Sequence, residues 1–241
     1  KSISFSNQDY LGANASLLSN ILGRTGNGSG ASDAWSISFW FKPSTSTNGA
    51  QTVLYYGDND TSNGGNLHIL YSGSFDRLRF HYGSNNNNIR LQTSNNSVVA
   101  NTWHHVLITY DGNTTGSNSG DISNYYSRFK IFINGSLQTT TNTNNNYGWQ
   151  NSIDSDNWRI GRFASGNYMK DGCKVDELAI FNSDQSANIS NIYNSGSPFD
   201  LSTLTTEPKH WWRMGDGDTY PYLQDSGTEA NCVFQMYNMT S

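Results

Sequence analysis

Between Trp35 and Phe41 the chain reads Trp-Ser-Ile-Ser-Phe-Trp-Phe, with Trp35, Ile37, Phe39 and Phe41 at every second position. A period of two puts these four on one face of an extended strand and Ser36 and Ser38 on the other, the signature of a half-buried strand. Similar runs follow at 52–56, 67–71, 78–82, 103–110, 129–133 and 158–161, rich in aromatic and β-branched residues. Between them lie Gly57-Asp-Asn-Asp60, the stretch 84–88, Asp111-Gly-Asn113 and Asn134-Gly135. These are turn sequences, and Asn-Gly is a strong signal for a two-residue hairpin. Many short strands so punctuated predict an all-β, two-sheet antiparallel jelly-roll sandwich. A length of 241 residues suits one large all-β domain or one domain with a small appendage.

One short helix is expected over 186–196, opening on Ser186, closing at Gly196 and placing Ile189, Ile192 and Tyr193 on one face. The sandwich is expected to occupy 1–196, with 197–206 as a linker. Residues 207–241 then form a C-terminal segment. A hydrophobic share of 34% is low for a core, but the 13% of aromatic residues offsets it, because each ring buries a large area. The net charge is -5 and no Lys/Arg run occurs, so no nucleic-acid partner is expected. No apolar run is long enough to span a bilayer, so no membrane insertion is expected. Cys173 and Cys232 are open to two readings, a disulfide tying the C-terminal segment to the body or two buried thiols.

The order of motifs carries a resemblance. "SISFSNQDYL", "WSISFWFKP", "WHHVLITYDG" with "FKIFINGSLQ", then "WRIGRF", "KVDELAIFN" and "SANISNIYNSG" resemble, in that order, the strands and closing helix of laminin-G-like jelly rolls. The resemblance covers roughly 1–196 and implies a concanavalin-A-like sandwich, the fold of lectins, pentraxins and laminarinase-like hydrolases. The tail "WWRMGDGD…LQDSG…NMTS" resembles the segment that precedes the first strand of such modules, and here it comes last. That implies either a circularly permuted first strand packing back on the same sandwich, the favoured reading, or the start of a second copy. The whole unit is similar to laminin-G-like surface proteins of marine phages and bacteria.

Catalysis is not expected. A retaining glycoside hydrolase needs two carboxylates about 5 Å apart, and the chain has three glutamates, Glu177, Glu207 and Glu229, none in a Glu-x-Asp-x-Glu strand. Asp176 and Glu177 are neighbours on a predicted strand and should point to opposite faces. The resemblance implies a structural Ca2+, with Asp9 and Asp176 at the matching positions. The alternative is that Asp9 caps a turn and Asp176 accepts backbone hydrogen bonds. Asp58 and Asp60, in a loop placed like the rim loops of such modules, are a second candidate metal pair, and Asp216-Gly-Asp218 a third.

Sugars are bound by exposed aromatic faces with amide and hydroxyl partners. Tyr55, Tyr56, Asn59, Tyr125, Tyr126 and Trp149 are the candidates, since alternation should turn one of Tyr55 and Tyr56, and one of Tyr125 and Tyr126, outward. The expected function is a non-catalytic glycan- or cell-surface-binding lectin-like module, extracellular or on a virion surface such as a phage fibre. Its partners would be glycans or host-surface polysaccharide and other subunits of a larger assembly. The alternative is a structural decoration or subunit-packing domain of a virion or filament with no sugar ligand.

Overall fold

The computed structural model describes residues 1–6, 8–13, 19–22, 34–44, 49–57, 65–84, 88–113, 126–143, 157–163 and 166–239. They form two stacked antiparallel sheets. The first has the order β1 (Ile3–Ser4), β15 (Lys174–Phe181), β3 (Trp35–Lys42), β8 (His104–Tyr110), β9 (Phe129–Ile133) and β10 (Ser136–Leu137). Strand β16 (His210–Trp212) continues the line of β1 along β15. The second sheet has nine strands: β11 (Thr140–Asn142), β7 (Asn88–Thr93), β6 (Arg77–Ser84), β5 (Gly65–Ser72), β4 (Ala50–Gly57), β12 (Asn157–Ile160), β2 (Tyr10–Ala13), β18 (Phe234–Tyr237) and β17 (Tyr222–Leu223). A ribbon of β13 (Arg162–Phe163) and β14 (Gly166–Tyr168) and a single helical turn, α1 (Ser19–Leu22), complete the strand region.

The core lies between the sheets. Trp35, Ile37, Phe39 and Phe41 face it from β3, and Leu67, Ile69, Tyr71, Phe80 and Tyr82 meet them from β5 and β6. Trp35 is the centre of an aromatic cluster, with ring centroids of Tyr82, Tyr110, Phe129 and Phe80 at 5.6, 6.0, 6.1 and 6.2 Å. Asn134 and Gly135, with φ of 50° and 79°, make the tight turn between β9 and β10.

Ser36 and Ser38 are buried as well. The reason is a layer packed on the outside of the first sheet. It runs from a 3-10 turn at Ser186–Asn188 into α2 (Ile189–Tyr193) and a second 3-10 turn at Asn194–Gly196. Ser36 Oγ donates to the Ser183 carbonyl at 2.7 Å and accepts from the Gln185 amide at 2.9 Å, so the serine is consumed in docking this layer. Ser38 Oγ meets His105 Nε2 at 2.9 Å, and burial pushes the His105 pKa down to about 4, which keeps the ring neutral. The stretch 197–206 is anchored too. Leu201 and Leu204 join Ala179, Phe181, Ile192 and Trp211 in a small cluster of their own.

The C-terminal segment packs on both sheets, β16 against β15 and β18 against β2. Its hub is Asp225, whose carboxylate holds the His210 ring and three backbone amides. Cys173 and Cys232 are both buried free thiols, and burial raises the Cys232 pKa to about 12. No helix of the described residues is long and apolar enough to cross a membrane.

Candidate functional site

The outer face of the nine-stranded sheet carries a candidate site, and it starts with strand alternation. On β2, Leu11 points into the core, so Tyr10 and Gly12 point out; on β18, Phe234 is in the core, so Gln235 and Tyr237 point out. The register pairs Tyr237 with Tyr10 and Gln235 with Gly12. The two tyrosine rings stack with centroids 4.6 Å apart and planes 5° from parallel. A side chain at position 12 would crowd them, because a Cβ there would lie 3.1 Å from Tyr237 Cε2. Glycine leaves the space open.

On β12, Trp158 and Ile160 are core residues, which turns Arg159 outward opposite Gly12. The guanidinium groups of Arg159 and Arg162 lie 5.9 and 4.7 Å from the Tyr10 ring centroid. Burial, with Arg162 close by, lowers the Arg159 pKa, but a guanidinium remains a cation at neutral pH. Tyr222 pairs with Gln235 on β17 and is 46% exposed. Tyr10, Gly12, Arg159, Tyr222, Gln235 and Tyr237 bound an open cavity of about 340 Å³. It offers aromatic surface, an amide and a fork of N–H donors in one place, which suits a small polar ligand with C–H faces.

Beside it, the sheet face is covered. Gly161, with φ of +86°, reverses the chain after β12 at a point where a Cβ would sit 2.7 Å from Phe5 Cε1. Only glycine fits there. The ribbon β13–β14 follows, and Phe163 lies 4.9 Å from the Tyr55 ring and 5.1 Å from His68. Tyr55 is therefore fully buried although it points out of the sheet, and Tyr56 is buried inward against Trp158 at 5.8 Å. The expectation that one of the pair presents a free ring is corrected: alternation holds, but the ribbon lies over the outward residue. Tyr126 is partly buried against the core. Asp58, Asn59, Asp60, Tyr125 and Trp149 lie outside the described residues.

Asp9 and Asp176 do not meet. Asp9 Oδ2 accepts from the Ser6 amide and hydroxyl at 2.7 and 2.6 Å, closing a turn. Asp176 lies beyond the other end of β1, whose register continues to Ser2 opposite it. No group of three or more His, Cys, Asp or Glu side chains that could hold a metal occurs among the described residues. Asp218 accepts from the Gly215 and Gln224 amides at 2.8 and 2.7 Å, so the 216–218 turn uses its carboxylate internally.

Asp176 and Glu177 depart from the simple strand expectation. A β-bulge interrupts the β15–β3 register between Asp176 and Ala179, and Glu177 takes a φ of +49°. The bulge turns Glu177 outward, as Asp176 is. Glu177 accepts from Trp211 Nε1 at 2.7 Å and faces Arg213 Nε at 3.5 Å. Asp176 lines a second cavity, of about 310 Å³, beside Trp40 and Trp103. Burial, then the neighbouring Glu177, raises the Asp176 pKa from 3.8 to about 7. A raised carboxyl favours the fold while protonated, so its contribution is complete below pH 3.8 and is lost as the pH rises to about 7. Asp176→Asn is expected to flatten that loss: urea denaturation at the two ends of this window should differ less in the variant than in the native protein.

The residues of the Tyr10–Tyr237 cavity were not among the sequence candidates. Their alternation is visible in "DYLGA" and "FQMY", but the pairing of β2 with β18 joins opposite ends of the chain.

Comparison with known proteins agrees with the architecture. A candidate carbohydrate-binding protein from Bacteroides ovatus matches over 99% of this chain with a TM-score of 0.59 and 15% identity. The chain spans 58% of that protein's length. The CBM40 module of the Ruminococcus gnavus IT-sialidase, in a structure with α2,3-sialyllactose bound, matches over 78% of this chain and 92% of its own, with a TM-score of 0.52 and 16% identity. At these identities the likeness is one of fold. No curated protein matches the chain in sequence. The sequence profile of the concanavalin A-like lectin/glucanases superfamily, however, matches residues 20–188, most of the sandwich. The chain belongs to the concanavalin A-like lectin/glucanases superfamily.

Proposed function

We propose that this chain is a non-catalytic glycan-binding module whose ligand rests in the cavity at Tyr10 and Tyr237. The observation that carries the reading is a parallel tyrosine pair with an arginine on one side and an amide on the other, in an opening large enough for a sugar ring. The aromatic edge and the exposed ring of Tyr222 meet the C–H faces of a pyranose; Arg159 and Gln235 meet its oxygens. The carbohydrate-binding descriptions of the Bacteroides and Ruminococcus proteins support the class. The non-catalytic reading is supported by Glu177, whose carboxylate is held by Trp211 and Arg213. A module of this kind works outside a cell or on a virion surface, where repeated weak sites gain strength through multivalency.

The test is a glycan array followed by titration calorimetry on the best ligand. Tyr237→Ala is expected to weaken binding by roughly 10- to 100-fold, the loss of one aromatic anchor. Gly12→Val, which drives a side chain into the tyrosine pair, should weaken it comparably while the circular dichroism stays native. A ligand that binds both variants as tightly as the native protein would place the site elsewhere.

A further inference from the structure

The nine-stranded sheet and its ribbon hold five arginines, Arg77, Arg79, Arg90, Arg159 and Arg162, and not one Asp or Glu. The chain as a whole carries a net charge of -5, with 19 acidic residues. The nearest described acids, Asp9 and Asp76, lie in turns that flank these strands, so the strands themselves carry only positive charge. The strand register explains how single, scattered arginines converge. Gly12 pairs with Arg159, Arg159 with Tyr55, Tyr55 with His68, His68 with His81, and His81 with Arg90. This is one continuous row across the outer face. Burial lowers the pKa of His68 and takes that of His81 down to about 4, with Arg90 and Arg79 adding to the latter. The row's fixed charges are thus arginines at its two ends.

We infer that the ligand is an acidic polysaccharide, running from the Tyr10–Tyr237 cavity past the Phe163 ribbon to Arg79 and Arg90. The inference rests on the proposed sugar site and names its ligand class. Four inter-strand steps of about 4.8 Å put Arg90 roughly 19 Å from Arg159, a span for an oligosaccharide of several units rather than one sugar. Arginine binds carboxylate and sulfate oxygens through paired N–H donors, so anionic groups spaced along a chain would be gripped at each end of the row. Nucleic acid is the less fitting polyanion. Five charges on one face of a net-negative protein are few for a phosphate backbone, and the sugar-sized cavity adds nothing to phosphate binding.

The deciding experiment uses uronate-, sulfate- and sialate-bearing oligosaccharides beside their esterified, desulfated or desialylated counterparts, with a single-stranded oligonucleotide as a further arm. The acidic forms are expected to bind roughly tenfold more tightly than the neutral ones, and raising NaCl from about 50 to about 500 mM should erase most of the difference. The double variant Arg79→Gln/Arg90→Gln should lose the preference while neutral sugars still bind through Tyr237. Equal binding of acidic and neutral forms, both lost in Tyr237→Ala, would overturn the acidic ligand and leave the sugar site standing. Binding of no glycan would overturn both. An oligonucleotide that binds as well as the best acidic sugar would reduce the face to a general anion surface and overturn the ligand class.

Discussion

Asp225→Ala is expected to destabilise the protein by about 3–5 kcal/mol, the cost of removing a buried carboxylate on which several hydrogen-bond donors converge. Asp225 Oδ2 lies 2.6 Å from His210 Nδ1 and accepts from the Cys232 amide at 3.2 Å; Oδ1 accepts from the Trp211 and Gly227 amides, both at 2.9 Å. Neither side chain of the His–Asp pair is exposed. Alanine would leave three amides and a ring nitrogen without an acceptor, in a place water does not reach. Burial alone would push the Asp225 pKa up, but the His210 and backbone hydrogen bonds outweigh it and hold the carboxyl below its ordinary value. The sign follows from that: the stabilisation is present above the ordinary carboxylate range and is lost as the pH falls below it. Urea denaturation at neutral pH should show the deficit, and the gap between native protein and Asp225→Asn should shrink on acidification. An Asp225→Ala variant within about 1 kcal/mol of native would mean that the tail is held by apolar packing alone.

Trp35→Ala is expected to cost a comparable amount, about 3–5 kcal/mol, because it empties the centre of the aromatic cluster. For a domain of this size that corresponds to a fall in Tm of roughly 10 °C. Trp35→Phe should cost far less. The indole Nε1 of Trp35 is buried and has no hydrogen-bond partner among the described residues, so phenylalanine deletes an unsatisfied donor along with some packing. Trp212 makes the contrast, since its Nε1 donates to the Cys232 carbonyl at 2.6 Å. Thermal denaturation of the three variants separates the terms. Trp212→Phe should be more damaging than Trp35→Phe, and the reverse order would contradict this account of the two indoles.

Much of the fold is legible in local pattern. The alternation of Trp35–Phe41 specifies a strand with its apolar face on the core, and Asn134-Gly135 specifies a tight hairpin, because each depends on residues within one strand or turn. What is not legible depends on a second layer or a distant partner. Ser36 and Ser38 look solvent-facing until α2 and its flanking turns lie over them. Tyr55 looks like a binding residue until Phe163 lies over it. Asp176 and Glu177 look opposed until a bulge adds one residue to β15 between Asp176 and Ala179. The arginines of the nine-stranded sheet and its ribbon form no run in the sequence, since β6, β7, β12 and β13 contribute one or two each and only the register assembles them. For that reason the linear sequence shows no basic cluster.

The tyrosine pair of the cavity joins β2, near the start of the described chain, to β18, near its end. Two strands so far apart in sequence are late to meet during folding, because closing so long a loop must precede any reward from the contact. A ligand seated across Tyr10 and Tyr237, as proposed, would therefore act as a clasp between the two strands. By mass action it would stabilise the docked tail by an amount that grows with the logarithm of its concentration over its dissociation constant. Occupancy of the site would then be felt first as resistance of the last strands to proteases.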